Sequence, residues 1–189
     1  MNINTVFFEQ ASQAHTERVL DVVKQYLESE TGIEHIVVAT TEGNVGAIFA
    51  KAITEKKVIV VTHQTGFRKP NYNELDSEKR KTIEKAGATI LTTTHAFAGV
   101  DRGIRRALGT YTTSEILAYA FRTFGQGTKV CAEIAMMAAD AGLVPVDRDV
   151  ICVGGTGRGA DTAWIIKPAN TNEFVELKMK ACLCKPLNF

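Results

Sequence analysis

This sequence of 189 residues lacks several features that would assign it to common classes of protein. Its first residues have neither the basic segment nor the apolar core of a signal peptide, and no apolar run approaches the roughly 20 residues that a membrane helix needs. Its 22 basic residues are balanced by 21 acidic ones, so no net field attracts nucleic acid or an anionic membrane. The sequence therefore predicts a cytoplasmic protein that binds neither nucleic acid nor a membrane surface.

Recognisable catalytic and metal-binding patterns are also missing. Cys131 and Cys152 lie in apolar patterns typical of core residues, and no further Cys or His pair lies near Cys182 and Cys184 to complete a metal site. The sequence shows no Ser–His–Asp arrangement and no pair of catalytic carboxylates. It therefore predicts no metal site, and it leaves open whether the protein is an enzyme.

The order of the predicted elements indicates the fold. From a helix that begins at Thr16, helices and strands alternate as α-β-α-β-α-β, which is typical of parallel strands with helices on both faces. Because only a turn separates the last two predicted strands, these should pair antiparallel. The sequence predicts one α/β domain over residues 1–189, with a five-stranded mixed sheet of order 3-2-1-4-5. The predicted strands are 36–39, 58–62, 88–91, 150–153 and 162–167.

A short polar turn after the first predicted strand is a candidate anion site. The chain runs from an apolar strand through a Thr-Thr pair and two glycines into a helix with apolar residues at helical spacing. The free N–H groups and positive dipole of a helix N-terminus favour an anion. The alternative is an ordinary strand-to-helix connection with Thr41 as the N-cap. The candidate residues are Thr40, Thr41, Glu42, Gly43, Asn44, Val45 and Gly46.

A glycine-rich loop after the fourth predicted strand is a second candidate. Its glycines indicate positive φ angles or close approach of a ligand to the backbone, although a tight hairpin would also need them. Arg158 can contact an anion and Asp161 can accept a hydrogen bond. With the predicted strand order, both loops line the crevice above the first and fourth strands, a usual ligand site. The residues are Gly154, Gly155, Thr156, Gly157, Arg158, Gly159 and Asp161.

Four stretches resemble free-standing proteins related to the C-terminal α/β domain of pyruvate kinase. They are Val37–Gly46, Val60–Phe67, Lys129–Pro145 and Val150–Pro168. The resemblance covers nearly all of the chain and implies a three-layer α/β/α fold, with the sheet order given above and an antiparallel fifth strand. It also implies that the loops at 40–46 and 154–159 bind a phosphorylated ligand, as they bind effectors in pyruvate kinase. Because this sequence contains no barrel domain and no phosphoenolpyruvate or metal site, pyruvate kinase activity is not expected.

The segments after the second and third predicted strands offer groups that can bind a flat polar ring. Since a small α/β domain with one phosphate loop suits a mononucleotide, we expect FMN, with its phosphate at 41–46 and its ring towards residues 63–67. Two alternatives stay open: a sensor of a phosphorylated metabolite, and a structural oligomerisation domain without ligand. In the simplest case the histidines only make hydrogen bonds within loops. The ring-binding candidates are His63, Gln64, Thr65, Gly66, Phe67 and His95.

Three arginines, Arg102, Arg105 and Arg106, follow at helical spacing. A cluster of this kind can bind phosphate, but the pattern favours a solvated helix face. Shortly afterwards, Thr112 and Glu115 have the spacing of a capping box.

The helix predicted over 129–141, with Thr128 as its cap, is apolar on most sides. Such a helix lies either in the core or at a subunit interface, so a homodimer or higher homo-oligomer is expected. Residues 6–8 form an apolar lead-in that should pack against the core or a partner subunit. The pattern of residues 172–184 fits either a short helix or an edge strand.

Overall fold

The computed structural model describes residues 4–29 and 32–189. None of the helices in these ranges is long and apolar enough to cross a membrane. Short 3-10 helices cover Gln13–His15 and Thr171–Glu176. The strands are β1 (Val6–Gln10), β2 (His35–Ala39), β3 (Lys57–Thr62), β4 (Thr89–Thr92), β5 (Val150–Gly154), β6 (Thr162–Lys167) and β7 (Lys178–Asn188). The helices are α1 (Thr16–Ser29), α2 (Asn44–Ala52), α3 (Ser77–Lys85), α4 (Gly99–Leu108), α5 (Thr113–Arg122) and α6 (Gln126–Asp140).

The strands form one mixed sheet of order β1-β7-β6-β5-β2-β3-β4. The predicted strands keep their predicted relative order in it as β4-β3-β2-β5-β6, and β6 is antiparallel to both of its neighbours. The prediction of a five-stranded sheet is wrong, because the two ends of the chain add β7 beside β6 and β1 beside β7. The apolar lead-in is thus a strand that pairs with the tail of the same chain.

Helices cover both faces of the sheet. On one face, α1, α2 and α3 bury apolar side chains such as Phe49 and Ile83 against Val60 and its neighbours. On the other face, α6 packs Met137 against Ile59. Since α6 is buried along nearly its whole length, its apolar surface belongs to the core of this chain. The expected subunit interface therefore cannot consist of α6.

Two helix boundaries differ from those predicted. Helix α6 begins at Gln126 after Gly125, whose φ of 120° is positive, so Thr128 lies inside the helix rather than capping it. The Thr128 hydroxyl instead donates to the Phe124 carbonyl and accepts a hydrogen bond from Trp164. Helix α1 ends at Ser29, and the predicted terminator at Thr31 lies outside the described residues.

Candidate functional site

A cleft of about 770 Å³ opens at the carboxyl ends of β2, β3 and β5. Strand β2 pairs in parallel with both β3 and β5, so the loops that follow these strands reach the same edge of the sheet. The chain leaves β2 towards β3 and later returns to β5 on the other side, which makes this edge a topological switch point. The volume is in the range of small-molecule sites, about 300–1,000 Å³.

The cleft brings together both predicted loops and the predicted ring-binding segments. Other predicted residues do not line the cleft. Those that line the cleft are Thr40, Thr41, Glu42, Asn44, Val45, His63, Phe67, His95, Gly155, Gly157, Arg158 and Gly159. Those outside its lining are Gly43, Gly46, Gln64, Thr65, Gly66, Gly154, Thr156 and Asp161.

Two of the residues outside the lining, Gly46 and Asp161, shape the loops. Gly46 packs so closely on β3 that an added Cβ would lie 2.5 Å from a methyl carbon of Val60. Asp161 is buried, and its two oxygens accept hydrogen bonds from the Thr156 N–H at 3.1 Å and the Thr162 hydroxyl at 2.6 Å. The carboxylate of Asp161 therefore holds the glycine loop in place.

The turn before α2 leaves the start of this helix open to the cleft. Gly43 is the N-cap with a φ of 101°, and the Thr40 hydroxyl accepts from the N–H groups of Gly43 and Gly46 at 3.2 and 3.4 Å. The side chain that satisfies this helix end is thus Thr40, and the alternative with Thr41 as N-cap is wrong. The N–H groups of Asn44 and Val45, in the first turn, have no intrahelical acceptor. These two groups are placed to meet an anion.

An ion pair joins the two predicted loops across the cleft. The Arg158 guanidinium lies 2.7 Å from a Glu42 carboxylate oxygen; the Arg158 side chain is largely exposed and that of Glu42 is partly exposed. Because the Glu42 carboxylate is already paired with Arg158, an incoming anion has to compete with Glu42 for the guanidinium. The pair also places a negative charge beside the turn before α2.

An aromatic cluster forms the wall beyond β3 and β4. The Phe67 ring stacks on His63 with a centroid distance of 4.0 Å and on His95 at 5.1 Å, and the Arg102 guanidinium lies 4.4 Å from its centre. His63 is held by Glu74, with 2.6 Å between Nδ1 and the carboxylate. Burial lowers the pKa of His63, and the hydrogen bond to Glu74 opposes this shift. The Phe67 ring is thus in contact with two imidazoles and one guanidinium at the edge of the cleft.

Sequence patterns did not single out a buried charged group on α6. The side chains of Lys129 and Glu133 line the cleft and are only 8% and 3% exposed. Glu133 accepts the Phe97 N–H at 3.1 Å with one oxygen, while its other oxygen contacts the Lys129 ammonium and lies 3.4 Å from His95 Nδ1. Burial opposes ionisation of Glu133, but the contacts with His95 and Lys129 outweigh it and lower its pKa to about 2.

A signal for this pair exists in the sequence. Lys129 and Glu133 are four residues apart in a helix that is otherwise apolar on most sides, so their side chains are neighbours on its surface. Charged side chains in such a helix are either paired with each other or exposed to solvent. Their partner His95 comes from a loop after β4, and no local pattern connects it to them.

The arginine helix takes part in the cleft. Arg102 and Arg105 line it and are partly buried, so the prediction of a solvated face is wrong for them, whereas Arg106 is exposed and outside it. Arg105 Nε lies 2.7 Å from a Glu115 oxygen. Because Glu115 turns towards Arg105 and Thr112 makes no side-chain cap, the capping box does not form. Arg122 on α5 also lines the cleft.

In the part of the chain that the structure describes, no three His, Cys, Asp or Glu side chains lie together as a metal-binding group. The four cysteines are unpaired, and burial raises the pKa of Cys184 to about 12 and that of Cys182 to about 11. These thiols are therefore poor nucleophiles at neutral pH.

The fold and the cleft define an α/β protein with a candidate ligand site at the switch point of a mixed sheet. The family model described as "Pyruvate kinase, alpha/beta domain" matches residues 22–166. The chain belongs to this family, as the four sequence stretches predicted.

Solved structures give only a distant likeness. One is a pyridoxal 5'-phosphate-dependent aspartate racemase, with 17% identity and a TM-score of 0.34 over 76% of this chain and 47% of that chain. Another is an O-ureido-L-serine synthase, with 16% identity and a TM-score of 0.32 over 67% of this chain and 48% of that chain. The chain spans about half the length of these structures.

Proposed function

We propose that the protein binds a mononucleotide-sized molecule that carries a phosphate group, and that FMN is this ligand. The observation that supports it is that the N-terminus of α2 and the aromatic cluster open into one cleft. The phosphate lies over residues 40–46, and the ring extends towards His63, Phe67 and His95.

The groups present suit both ends of such a ligand. At the phosphate end, the first-turn N–H groups of α2 and the positive end of its dipole favour an anion, and Arg158 can exchange Glu42 for the phosphate. At the ring end, a flat ring can replace the Arg102 guanidinium over the Phe67 ring. His95 Nε2 is buried without a hydrogen-bond partner and can accept a ring N–H. A bound flavin would supply hydride or electron transfer, and pyruvate kinase activity is not part of the proposal.

The test is an absorption spectrum of the freshly purified protein, followed by titration of FMN with flavin fluorescence as the readout. We expect saturable quenching at micromolar FMN and much weaker quenching by riboflavin, which has the same ring without phosphate. A colourless protein that does not quench FMN contradicts the flavin assignment. Equal affinity for riboflavin contradicts the phosphate subsite.

A second candidate is a sensor of a phosphorylated metabolite. The Arg158–Glu42 pair favours it, because an anion that displaces Glu42 breaks a contact between the two loops. In that case phosphorylated sugars raise the thermal unfolding temperature and FMN does not, since only a ligand of the folded state stabilises it.

We also propose that the protein forms a homo-oligomer, through α4 rather than α6. Val100, Ile104 and Leu108 lie four residues apart on one face of α4, and Val100 and Leu108 are 78% and 74% exposed. Among the described residues none in α4 is buried, so this apolar stripe lacks a partner within the chain.

Replacing Leu108 with Lys is expected to convert the oligomer to monomer, because a charge in an apolar interface is costly to desolvate. Light scattering after size-exclusion chromatography measures the molar mass. The matched control is Val175→Lys, which changes an equally exposed apolar residue in the short 3-10 helix and should leave the mass unchanged. A wild-type protein of monomer mass contradicts the proposal.

A further inference from the structure

Lys129 is a buried cation in the wall of the cleft. Its side chain is 8% exposed, its ammonium contacts Glu133, and it lies 5.8 Å from the centre of the Phe97 ring. Lysine is rarely buried to this extent, because desolvation of the ammonium must be offset by a partner. The fold alone gives no reason for a lysine here, since the neighbouring positions of α6 are filled by small and apolar residues.

The counter-ion of Lys129 is shared. The Glu133 carboxylate also accepts from the Phe97 N–H and contacts His95 Nδ1, so its charge is spread over three donors. Because the carboxylate interacts with three donors, its electrostatic attraction for the Lys129 ammonium is weaker than that of a carboxylate paired with lysine alone.

Further cations surround the ammonium. Glu115 and Glu133 in this wall are already paired with Arg105 and Lys129. Among the described residues, Arg102 and Arg122 have no salt bridge to a carboxylate: Arg102 lies over Phe67, and Arg122 donates to Gln126. Burial lowers the pKa of Lys129, Glu133 opposes the shift, and Arg122 and Arg102 lower the pKa further. A lysine that is desolvated and crowded by positive charge is the setting in which enzymes use the free amine as a nucleophile.

We propose that Lys129 forms a covalent imine with the carbonyl carbon of a small phosphorylated aldehyde or ketone. The phosphate of this molecule occupies the start of α2, which lines the same cleft. The inference therefore rests on the phosphate subsite of the proposed function, but not on FMN. Because both molecules use that subsite, FMN is expected to compete with the carbonyl compound.

The chemistry balances without a further reagent. The ammonium gives up a proton, and the freed nitrogen pair attacks the carbonyl carbon, whose oxygen takes that proton to form a carbinolamine. The carbon–oxygen bond then breaks, and the oxygen leaves as water with a second proton from the nitrogen, which leaves a protonated imine. Nothing is oxidised or reduced. His95 Nδ1 lies 3.4 Å from the Glu133 oxygen that also contacts the Lys129 ammonium, so His95 is assigned to carry these protons through that carboxylate.

Borohydride trapping tests the proposal on the whole wild-type protein. The protein is incubated with glyceraldehyde 3-phosphate, the imine is reduced to a stable secondary amine, and mass spectrometry of peptides measures the adduct at each lysine. We expect the occupancy at Lys129 to be several times that at Lys81, whose side chain is 71% exposed. An occupancy at Lys129 no higher than at Lys81 overturns the proposal.

A second arm separates this proposal from the phosphate subsite. Glyceraldehyde without phosphate should label Lys129 much less, and added FMN should protect Lys129 from the phosphorylated probe. If both aldehydes label Lys129 equally, and more than they label Lys81, the imine at Lys129 is supported and the phosphate subsite is contradicted. At each lysine, labelling by the phosphorylated aldehyde is divided by labelling by glyceraldehyde. If this ratio is as high at Lys81 as at Lys129, the proposed role of Lys129 is wrong.

Two variants complete the test. Changing Lys129→Met together with Glu133→Gln removes both buried charges at once and should abolish only the Lys129 adduct. His95→Gln is expected to slow the appearance of the adduct without moving it to another lysine, whereas an unchanged rate removes His95 from the proton transfer.

Discussion

Replacing Asn44 with Asp is expected to weaken FMN binding by about 30-fold or more. Asn44 is exposed at the first position of α2, so the change adds a carboxylate where the phosphate is proposed to lie. Two like charges about 4 Å apart near a protein surface repel by about 4 kcal/mol. Screening reduces this to about 2 kcal/mol, which corresponds to about 30-fold in affinity.

The same substitution should not destabilise the fold. A carboxylate in the first turn interacts favourably with the helix dipole, by about 0.3–1 kcal/mol. The unfolding temperature of the Asn44→Asp protein is therefore expected to stay the same or rise, while its affinity for FMN falls. This combination shows that the loss of binding is not caused by unfolding. Gly43 is unsuitable for this test, because a Cβ there would lie 2.6 Å from the Lys79 Cβ and the backbone φ is 101°.

Fluorescence titration and thermal unfolding measure both quantities. The control is Asn172→Asp, which makes the same change at an exposed position outside the cleft. An Asn44→Asp protein that binds FMN like the wild type contradicts the placement of the phosphate at α2.

Replacing Glu133 with Gln is expected to lower the free energy of unfolding by about 3–5 kcal/mol at neutral pH. Gln keeps the shape and an oxygen for the Phe97 N–H, but it leaves the buried Lys129 ammonium without a counter-ion. Urea denaturation measures the change.

Two comparisons identify the cause. Glu78→Gln breaks an exposed pair with Lys81 and should cost less than about 1 kcal/mol. The double change Lys129→Met with Glu133→Gln should recover much of the lost stability, because neither charge is left alone. A Glu133→Gln protein as stable as Glu78→Gln contradicts the buried-pair account.

Acid titration supplies an independent check on Glu133. Its pKa is lowered from 4.5 to about 2 in the folded protein, so its contribution is fully present above pH 4.5 and is lost as the pH falls towards 2. A shift of this size corresponds to about 3 kcal/mol. Stability of the Glu133→Gln variant should therefore depend less on pH than that of the wild type in this range.

The central strands could be predicted from the sequence, because each strand and helix there carries its own local pattern. Their order was predicted from the doubly wound arrangement, which the family resemblance also implies. Strand β2 is a short apolar run, and the helices between the strands repeat apolar residues at helical spacing. The edge formed by β7 and β1 could not be predicted. Val6 pairs with Cys184 across almost the whole chain, and nothing local links segments so far apart.

The candidate site divides in the same way. The turn at 40–46 and the loop at 154–159 stand out because glycines and hydroxyl residues follow apolar strands. The resemblance of four stretches predicted the family, and local sequence patterns identified the central strands and the two loops at the switch point. Only the tertiary structure decided that Lys129, Glu133, His95 and Arg102 meet in one cleft, since these charges come from three separate segments. The physical reason is that a buried charge is stable only beside partners, and those partners are chosen by packing rather than by spacing along the chain.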